Sequence, residues 1–510
     1  MKSSADKMQV ADPRGAVRLL QTITLLRSIG QGAALTITSL YLRELGWSGT
    51  AIGAVIAAAS LVRIILTLSS VYFNSRLGAK RALLLFEVIT LCAASVMAVT
   101  TMPWLLTTAI TAAGLGSGHS GTGGPTAPIE SAWLGAYAKD PAKSKALFGR
   151  NARYSYTGLG AGALLACIPS LLYGTAENAA SFRLLYMLIA IVTVGCIICI
   201  WRIRGGARKP SSAANNKAAI SETLGVHSAA TTIAAAAAPE PDERSSAIRT
   251  RASLFGLVGL ALIIFISVLV GIAYRSNSVE LKRIAPAALF VLLIAAANLR
   301  LLRKPKTVQL ATTRNNQLRM LASSLSGVTA ALTSTVTAYW LAERFGASAG
   351  IIGLIMGISF LGAALLAQLT SGKAGRDVTL KTIISLQFAA ISLLLILPWV
   401  TAFWLAALIE IGCTACNLGT RGNRTALMME ERDRHKHTLL SRLNMIAIRL
   451  TAVLWPGIFV QFVDEGDYVP PFYLAAAMQF ISALLFRRVY RDVEQAQTNA
   501  KKRSLDHPLR

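Results

Sequence analysis

The fold class the sequence predicts is all-α and membrane-integral: two six-helix bundles related by a pseudo-two-fold, with an extra two-helix hairpin between them. Three observations predict it. The chain of 510 residues is 54% apolar and only 15% charged. Its apolar residues gather in separate windows of about 20 residues, the length that spans hydrocarbon. Its formal net charge of +27 falls in the connections between those windows, where Lys and Arg accumulate in membrane proteins. A nucleic-acid binder would instead concentrate basic residues on a polar face or tail with exposed aromatic platforms, so no nucleic-acid partner is expected. The expected surroundings are a lipid bilayer.

Taken in order, the windows lie near 17–42, 49–73, 82–101, 104–137, 153–173 and 183–201. The first starts near Val17 and outlasts the apolar core of a signal peptide, so it is expected to stay in the mature protein. Residues 204–252 are rich in Ala, Ser, Lys and Arg, include "AAAAAPEPDERSS" and carry no sustained apolar period. That composition predicts a flexible cytoplasmic linker. Windows at 254–274 and 284–302 form the extra hairpin, within 253–306. Six more follow near 318–342, 349–371, 379–400, 402–428, 441–463 and 471–487. The bundles are thus 1–203 and 307–490, with a basic cytoplasmic tail at 491–510, and the total is about fourteen helices.

Charge alternation supports these boundaries. The connections "MPW", "LYGTAENAAS", "PWVTA" and "VDEGDYVPP" contain no basic residue, whereas Arg76, Lys80 and Arg81, then Lys139, Lys143, Lys145 and Arg150, and later Arg432, Arg434, Lys436 and Arg442 mark the other side. Both termini are therefore expected in the cytoplasm, in a plasma membrane of the bacterial inner-membrane kind. The exception is "RSNSVELKR" in the middle hairpin, with three basic residues.

The halves repeat. "YLRELGWSGTAIG" at 41–53 and "LAERFGASAGIIG" at 341–353 place Gly46, Ser48, Ile52 and Gly53 in register with Gly346, Ser348, Ile352 and Gly353. The next helix is predicted to start three positions after Gly46 and Gly346. Asn151 and Asn444 correspond loosely after basic loops. Internal duplication of a six-span unit is a common construction of transporters, with the substrate path between the halves.

After the second span stands "SRLGAKR", residues 75–81, and the second half has "SGKAGR" at 371–376. Together with two six-span halves joined by a basic linker, this resembles the major facilitator superfamily. Its hallmark loop is of the type Gly-x-x-x-Asp-Arg-x-Gly-Arg-Lys. Arg76, Gly78, Lys80 and Arg81 fit; Ser75 replaces the Asp and Val71 the leading Gly. The second copy keeps Gly375 and Arg376, with Gly372 at the acidic place. The fifth span has Gly158, Gly160 and Gly162 without the Gly-Pro pair of the antiporter signature. The resemblance implies a carrier whose halves rock about a central path lined by the first, fourth, seventh and tenth spans, with Arg76, Gly78, Lys80 and Arg81 in a gating loop.

The stretch "GSGHSGTGGPTAP", residues 116–128, interrupts the fourth span with five glycines and two prolines. Irregular backbone is tolerated at membrane depth where it lines a cavity or is buried in protein, and small residues also allow close helix packing. Both readings stand, with His119, Pro125 and Pro128 favouring a cavity wall.

Ionisable residues inside spans mark function, because each costs at least about 2.5–3.5 kcal/mol to insert at mid-membrane. Arg27 lies about ten residues into the first span, about 15 Å deep, with Gln31 one turn later. Arg27 is read as a substrate or counter-charge ligand, or as half of a structural ion pair. Glu130 and Glu410 are read as carriers of a coupling proton, Glu130 alternatively as a gating pair with Arg153. Arg421, Arg424 and Arg449 pair with these carboxylates or attract an anion. Arg63 and Arg421 are read as near enough to the cytoplasmic face to snorkel, and Glu87 faces a similar ambiguity. Basic residues outnumber acidic ones at span positions, which points to an organic anion or drug-like compound as substrate.

Cys92, Cys167, Cys196, Cys199, Cys413 and Cys416 all lie in apolar windows. Free cysteine behaves there as a small buried hydrophobe, so neither disulfides nor a metal site is expected, and His435 and His437 in a charged loop are most simply solvated. No Walker or HExxH motif is present, and no nucleophile stands in a catalytic constellation with placed partners, so neither enzymatic activity nor a cofactor is expected. The function predicted is secondary transport of a small solute by alternating access, coupled to protons or another ion. The alternative is a transport-inactive scaffold or sensor of the same fold that binds a partner protein.

Overall fold

A computed structural model of the chain describes residues 13–117, 124–135, 137, 141–168, 179–203, 322, 325, 337–370, 380–421, 459–460 and 462–506. The linker 204–252, the hairpin 253–306, the loop at 371–376 and the residues His119, Arg424, His435, His437, Asn444 and Arg449 lie outside the described residues.

All described elements are helical. In the first half they are α1 (Pro13–Glu44), α2 (Gly49–Leu77), α3 (Ala79–Val99), α4 (Pro103–Ala113), α5 (Ala127–Gly135), α6 (Pro141–Leu164) and α7 (Ala179–Arg202). In the second they are α8 (Thr337–Phe345), α9 (Ala349–Thr370), α10 (Leu380–Ile396) with a 3-10 turn at Leu397–Trp399, α11 (Phe403–Gly419) and α12 (Val469–Asp506). Six of them contain stretches long and apolar enough to cross a membrane. The chain enters α1 and leaves α12 at one end of the bundle, here the terminal face; the other end is the distal face.

The repeat read from the sequence is a repeat of geometry. Gly46 and Gly346 both adopt positive φ, +79° and +62°, the turn conformation glycine reaches without strain. Ser48 and Ser348 then cap the following helices, accepting from the amides of Ala51 and Ile351. The new helices start at Gly49 and Ala349, three positions after each glycine.

The fourth window is two helices. α4 stops at Gly114 in a left-handed C-cap, and α5 starts only at Ala127. The window 104–137 is therefore interrupted at mid-depth by the glycine-rich stretch.

α1 is the axis of the first half. It is rich in hydroxyls and amides, yet Thr24, Ser28, Thr36, Thr38 and Ser39 are buried. Most of these hydroxyls donate to carbonyls one turn back in their own helix, which satisfies them away from water. α6 seats against α1 through glycine: a Cβ at Gly158 would meet the Leu25 carbonyl at 2.6 Å, and one at Gly162 would overlap the carbonyl of Ile29. The glycines of the fifth span thus serve close packing.

The halves meet where α6 crosses α9. A Cβ at Gly160 would meet Leu361 at 2.7 Å, and one at Gly353 would meet Ala166 at 2.6 Å. At the distal face the junction becomes polar. Arg43 at the end of α1 pairs with Glu343 at the end of α8. The Tyr339 hydroxyl donates to Asp464 at 2.6 Å, and the Cys167 thiol donates to the Gly350 carbonyl at 3.1 Å. Asp464 also accepts from the backbone amides of Gly49 and Thr50, at the start of α2.

Candidate functional site

α1 carries Arg27 to the middle of the bundle, roughly 21 Å along the helix from Pro13 and roughly 26 Å from Glu44. There it meets two carboxylates from two other helices. Its Nε donates to Glu87 of α3 at 2.5 Å, and its Nη1 donates to Glu130 in the first turn of α5. Arg27 is 8% exposed, Glu87 3% and Glu130 6%, so the three charges sit where an unmatched one would cost several kcal/mol. The third guanidinium nitrogen, Nη2, is buried without a hydrogen-bond partner among the described residues.

Beside Arg27 lies a cavity of about 70 Å³. Arg27, Gln31, Arg63, Glu87, Thr90, Ser117, Thr126 and Thr193 supply its polar lining, and Leu66, Phe86, Ile89, Leu115 and Ile189 its apolar walls. All belong to the first half. Toward the terminal face the floor is closed by a packed core that includes Leu20, Leu83, Phe86, Ile129 and Trp133.

The helix break builds the cavity wall around Arg63. The Arg63 guanidinium donates through Nη1 to the Ser117 carbonyl. A Cβ at Gly124, where φ is +117°, would sit 3.3 Å from both Nε and Nη2, and one at Gly114 would sit 3.4 Å from Cδ. These glycines let the chain bend tightly about a cation. Gly116, Pro125 and Thr126 also line the cavity, while a Cβ at Gly116 would meet Thr38 of α1 at 2.8 Å, so the described ends of the glycine-rich stretch combine a cavity wall with close packing. No described carboxylate makes an ion pair with Arg63.

The remaining residues singled out in the sequence take these places. Gln31 lines the cavity one turn beyond Arg27. Glu130 is paired with Arg27 rather than with Arg153; Arg153 is half-buried on α6 and makes no ion pair among the described residues. Glu410 is fully buried on α11 and accepts from the Thr414 hydroxyl at 2.7 Å, with Oε2 unpartnered among the described residues. Arg421, half-buried just past the end of α11, is three turns from Glu410, roughly 16 Å along the helix, too far for direct pairing. Gly78 makes the turn between α2 and α3 with φ +80°. Lys80 donates to the carbonyls of Trp201 and Ile203 at 2.8 and 3.1 Å, closing the end of α7. Arg76 lies over the Tyr72 ring, 5.5 Å from its centre, and Arg81 is exposed. In this conformation Gly78, Lys80 and Arg76 act within the first half.

Two residues take places that the sequence did not assign them: Glu87, ambiguous there, and Arg63, expected near the cytoplasmic face. Glu87 is a full member of the buried triad, and Arg63 faces the cavity at mid-depth. For Arg63 the signal was present: it stands thirteen positions before Arg76, roughly 20 Å along a helix, beyond the reach of a snorkelling side chain.

No protein-family profile and no curated protein sequence matches the chain. Solved structures do. A proton-dependent oligopeptide transporter is similar over 94% of this chain and 100% of its own, with a TM-score of 0.60 at 14% identity. A POT family transporter in complex with 5-aminolevulinic acid is similar over 93% of this chain and 95% of its own, with a TM-score of 0.57 at 14% identity. A point mutant of the nucleoside transporter NupG is similar over 93% and 100%, with a TM-score of 0.55 at 13% identity. All three have the major facilitator fold. The chain therefore carries the fold of the major facilitator superfamily, that of a multi-pass membrane protein, as the loop at 75–81 and the two-fold repeat imply.

Proposed function

We propose that the protein is a secondary transporter that moves a small charged solute across its membrane by alternating access, with protons as the coupling ion. The observation that carries this reading is the Arg27–Glu87–Glu130 cluster, buried beside a cavity at a broken helix. With both carboxylates ionised the triad holds one negative charge more than Arg27 balances, and Arg63 across the cavity supplies the matching positive charge. A proton arriving on Glu130 or Glu87 breaks that balance, and an anionic group entering the cavity restores it. Proton and solute are then favoured together, which is the thermodynamic requirement for coupling.

The polar contacts of the distal face support a state in which the halves are shut on that side: Arg43 with Glu343, and Asp464 with Tyr339 and the start of α2. Transport in this reading is a rocking motion about the α6–α9 glycine contact that opens the distal face as the terminal face closes. Glu410, buried with one unpartnered oxygen, is a second proton carrier in the other half. The structural neighbours that handle peptides or 5-aminolevulinic acid support a solute of small, charged type.

The test is uptake into proteoliposomes containing the purified protein, with a panel of small solutes and an imposed pH gradient. Accumulation that collapses with a protonophore, and is lost in Glu130→Gln, is the expected result. Accumulation that ignores both the gradient and the substitution removes the proton from the mechanism.

A further inference from the structure

The cavity of the first half has the makings of a specific anion site. Arg27 is more than nine-tenths buried, two of its guanidinium nitrogens are used by Glu87 and Glu130, and Nη2 is left without a partner among the described residues. Arg63 lines the same cavity and has no carboxylate partner. A guanidinium does not lose its proton under physiological conditions, so neither charge can be discharged by titration. Two guanidinium side chains line one space, and one of them keeps a buried donor that no described residue uses. Thr126, at the start of α5, also lines the space, so the positive end of that helix dipole is turned toward it.

The shape narrows the ligand. At about 70 Å³ the cavity has room for a few water molecules or a short molecule of the same bulk. Its other walls are Leu66, Ile89, Leu115 and Ile189, which suit a short alkyl chain better than a fully hydrated inorganic ion. We infer that the cavity binds the carboxylate of a short-chain organic acid, bridged between Arg27 Nη2 and the Arg63 guanidinium, with the alkyl end against the apolar wall.

This inference rests on the transporter reading for its purpose and can fail independently of it. The experiment is equilibrium binding to the purified full-length protein in nanodiscs at pH 7 with no gradient, read by calorimetry and by thermal shift. The probes are acetate, propionate, octanoate, acetamide, sodium chloride and inorganic phosphate. Acetate and propionate are expected to bind saturably and raise the melting temperature, while acetamide, of the same shape without charge, does neither. Arg63→Gln is expected to weaken binding by at least about tenfold, the loss of one charge-assisted hydrogen bond. Arg63→Lys, which keeps the charge and loses the fork, is expected to retain part of it, and Thr126→Val probes the wall should Arg63→Gln not fold.

Equal binding of octanoate would place the acid elsewhere and overturn the inference. So would chloride or phosphate binding more tightly than acetate, acetate binding unchanged in both Arg63→Gln and Thr126→Val, or no binding of any acid. Absent acid binding with gradient-driven flux of another solute would sink this site and leave transport standing. Acid binding without any flux would keep the site and sink transport.

Discussion

Arg43 and Glu343, 300 positions apart and equivalent in the internal repeat, are ion-paired across the junction of the two halves. The duplication placed a cation and an anion at the same structural position in each copy, so the pseudo-symmetry itself brings them together. Because both are partly exposed, the pair contributes only about 0.2–1 kcal/mol. That is a suitable strength for a contact that, in the proposed transport cycle, opens at every turnover.

The first prediction follows from that magnitude. Arg43→Glu or Glu343→Arg alone is expected to open the distal face by up to roughly fivefold in population, and the double exchange is expected to restore closure. Single-molecule fluorescence distances between labels on the distal face, for the two single variants and the double, check it.

A second prediction concerns the α1–α6 contact. Gly158→Leu drives side-chain atoms into the Leu25 carbonyl and Ser28, and overpacking of this kind costs about 1–3 kcal/mol. Gly149→Ala on the same helix has open space around it and is expected to be neutral or to stabilise by up to about 1 kcal/mol. Thermal unfolding of the two variants in detergent separates close packing from helix propensity.

The buried triad gives a third. Arg27→Ala leaves Glu87 and Glu130 facing one another without their cation, a change expected to destabilise by about 3–5 kcal/mol. Combining Arg27→Met with Glu87→Gln and Glu130→Gln removes all three charges and is expected to recover most of that stability without recovering solute uptake. Unfolding midpoints and uptake measured on the same preparations test the separation of the two roles.

Asp464 gives a fourth, in pH. Burial, with the neighbouring Glu343 adding to it, raises its carboxyl above the ordinary range, although the Tyr339 hydroxyl and the amides of Gly49 and Thr50 pull the other way. The folded, closed state then holds this proton more tightly than the unfolded chain does. Its contribution is full below the ordinary carboxylate range and is lost as pH rises through the raised value. Asp464→Asn is expected to flatten that limb of a plot of melting temperature against pH.

Much of the architecture was legible because it rests on local chemistry. Gly46 and Gly346 need positive φ, Ser48 and Ser348 cap the next helix, and the offset between them gave the duplication directly. Arg27 was legible from depth alone. Its partners were not, because which face of α3 presents Glu87 is decided by how α3 packs against α7 and α4, and an evenly apolar helix carries no periodicity to reveal it. The break at 116–128 was visible in composition, but its purpose depends on Arg63 arriving from α2, a contact more than fifty positions away. Glu130 was assigned a choice that included Arg153 because sequence proximity suggested a partner that the fold replaces with Arg27.

The most direct test of the account is a pair of electron-spin distances on one protein. Spin labels at Met102 and Trp404 report the distal face, and labels at Leu77 and Leu369 report the terminal face; all four side chains are exposed. On introducing Glu343→Arg together with Asp464→Asn, a carrier that alternates access should lengthen the first distance as the second shortens. Distances that stay single-valued and unchanged at both faces, in folded protein, would contradict it.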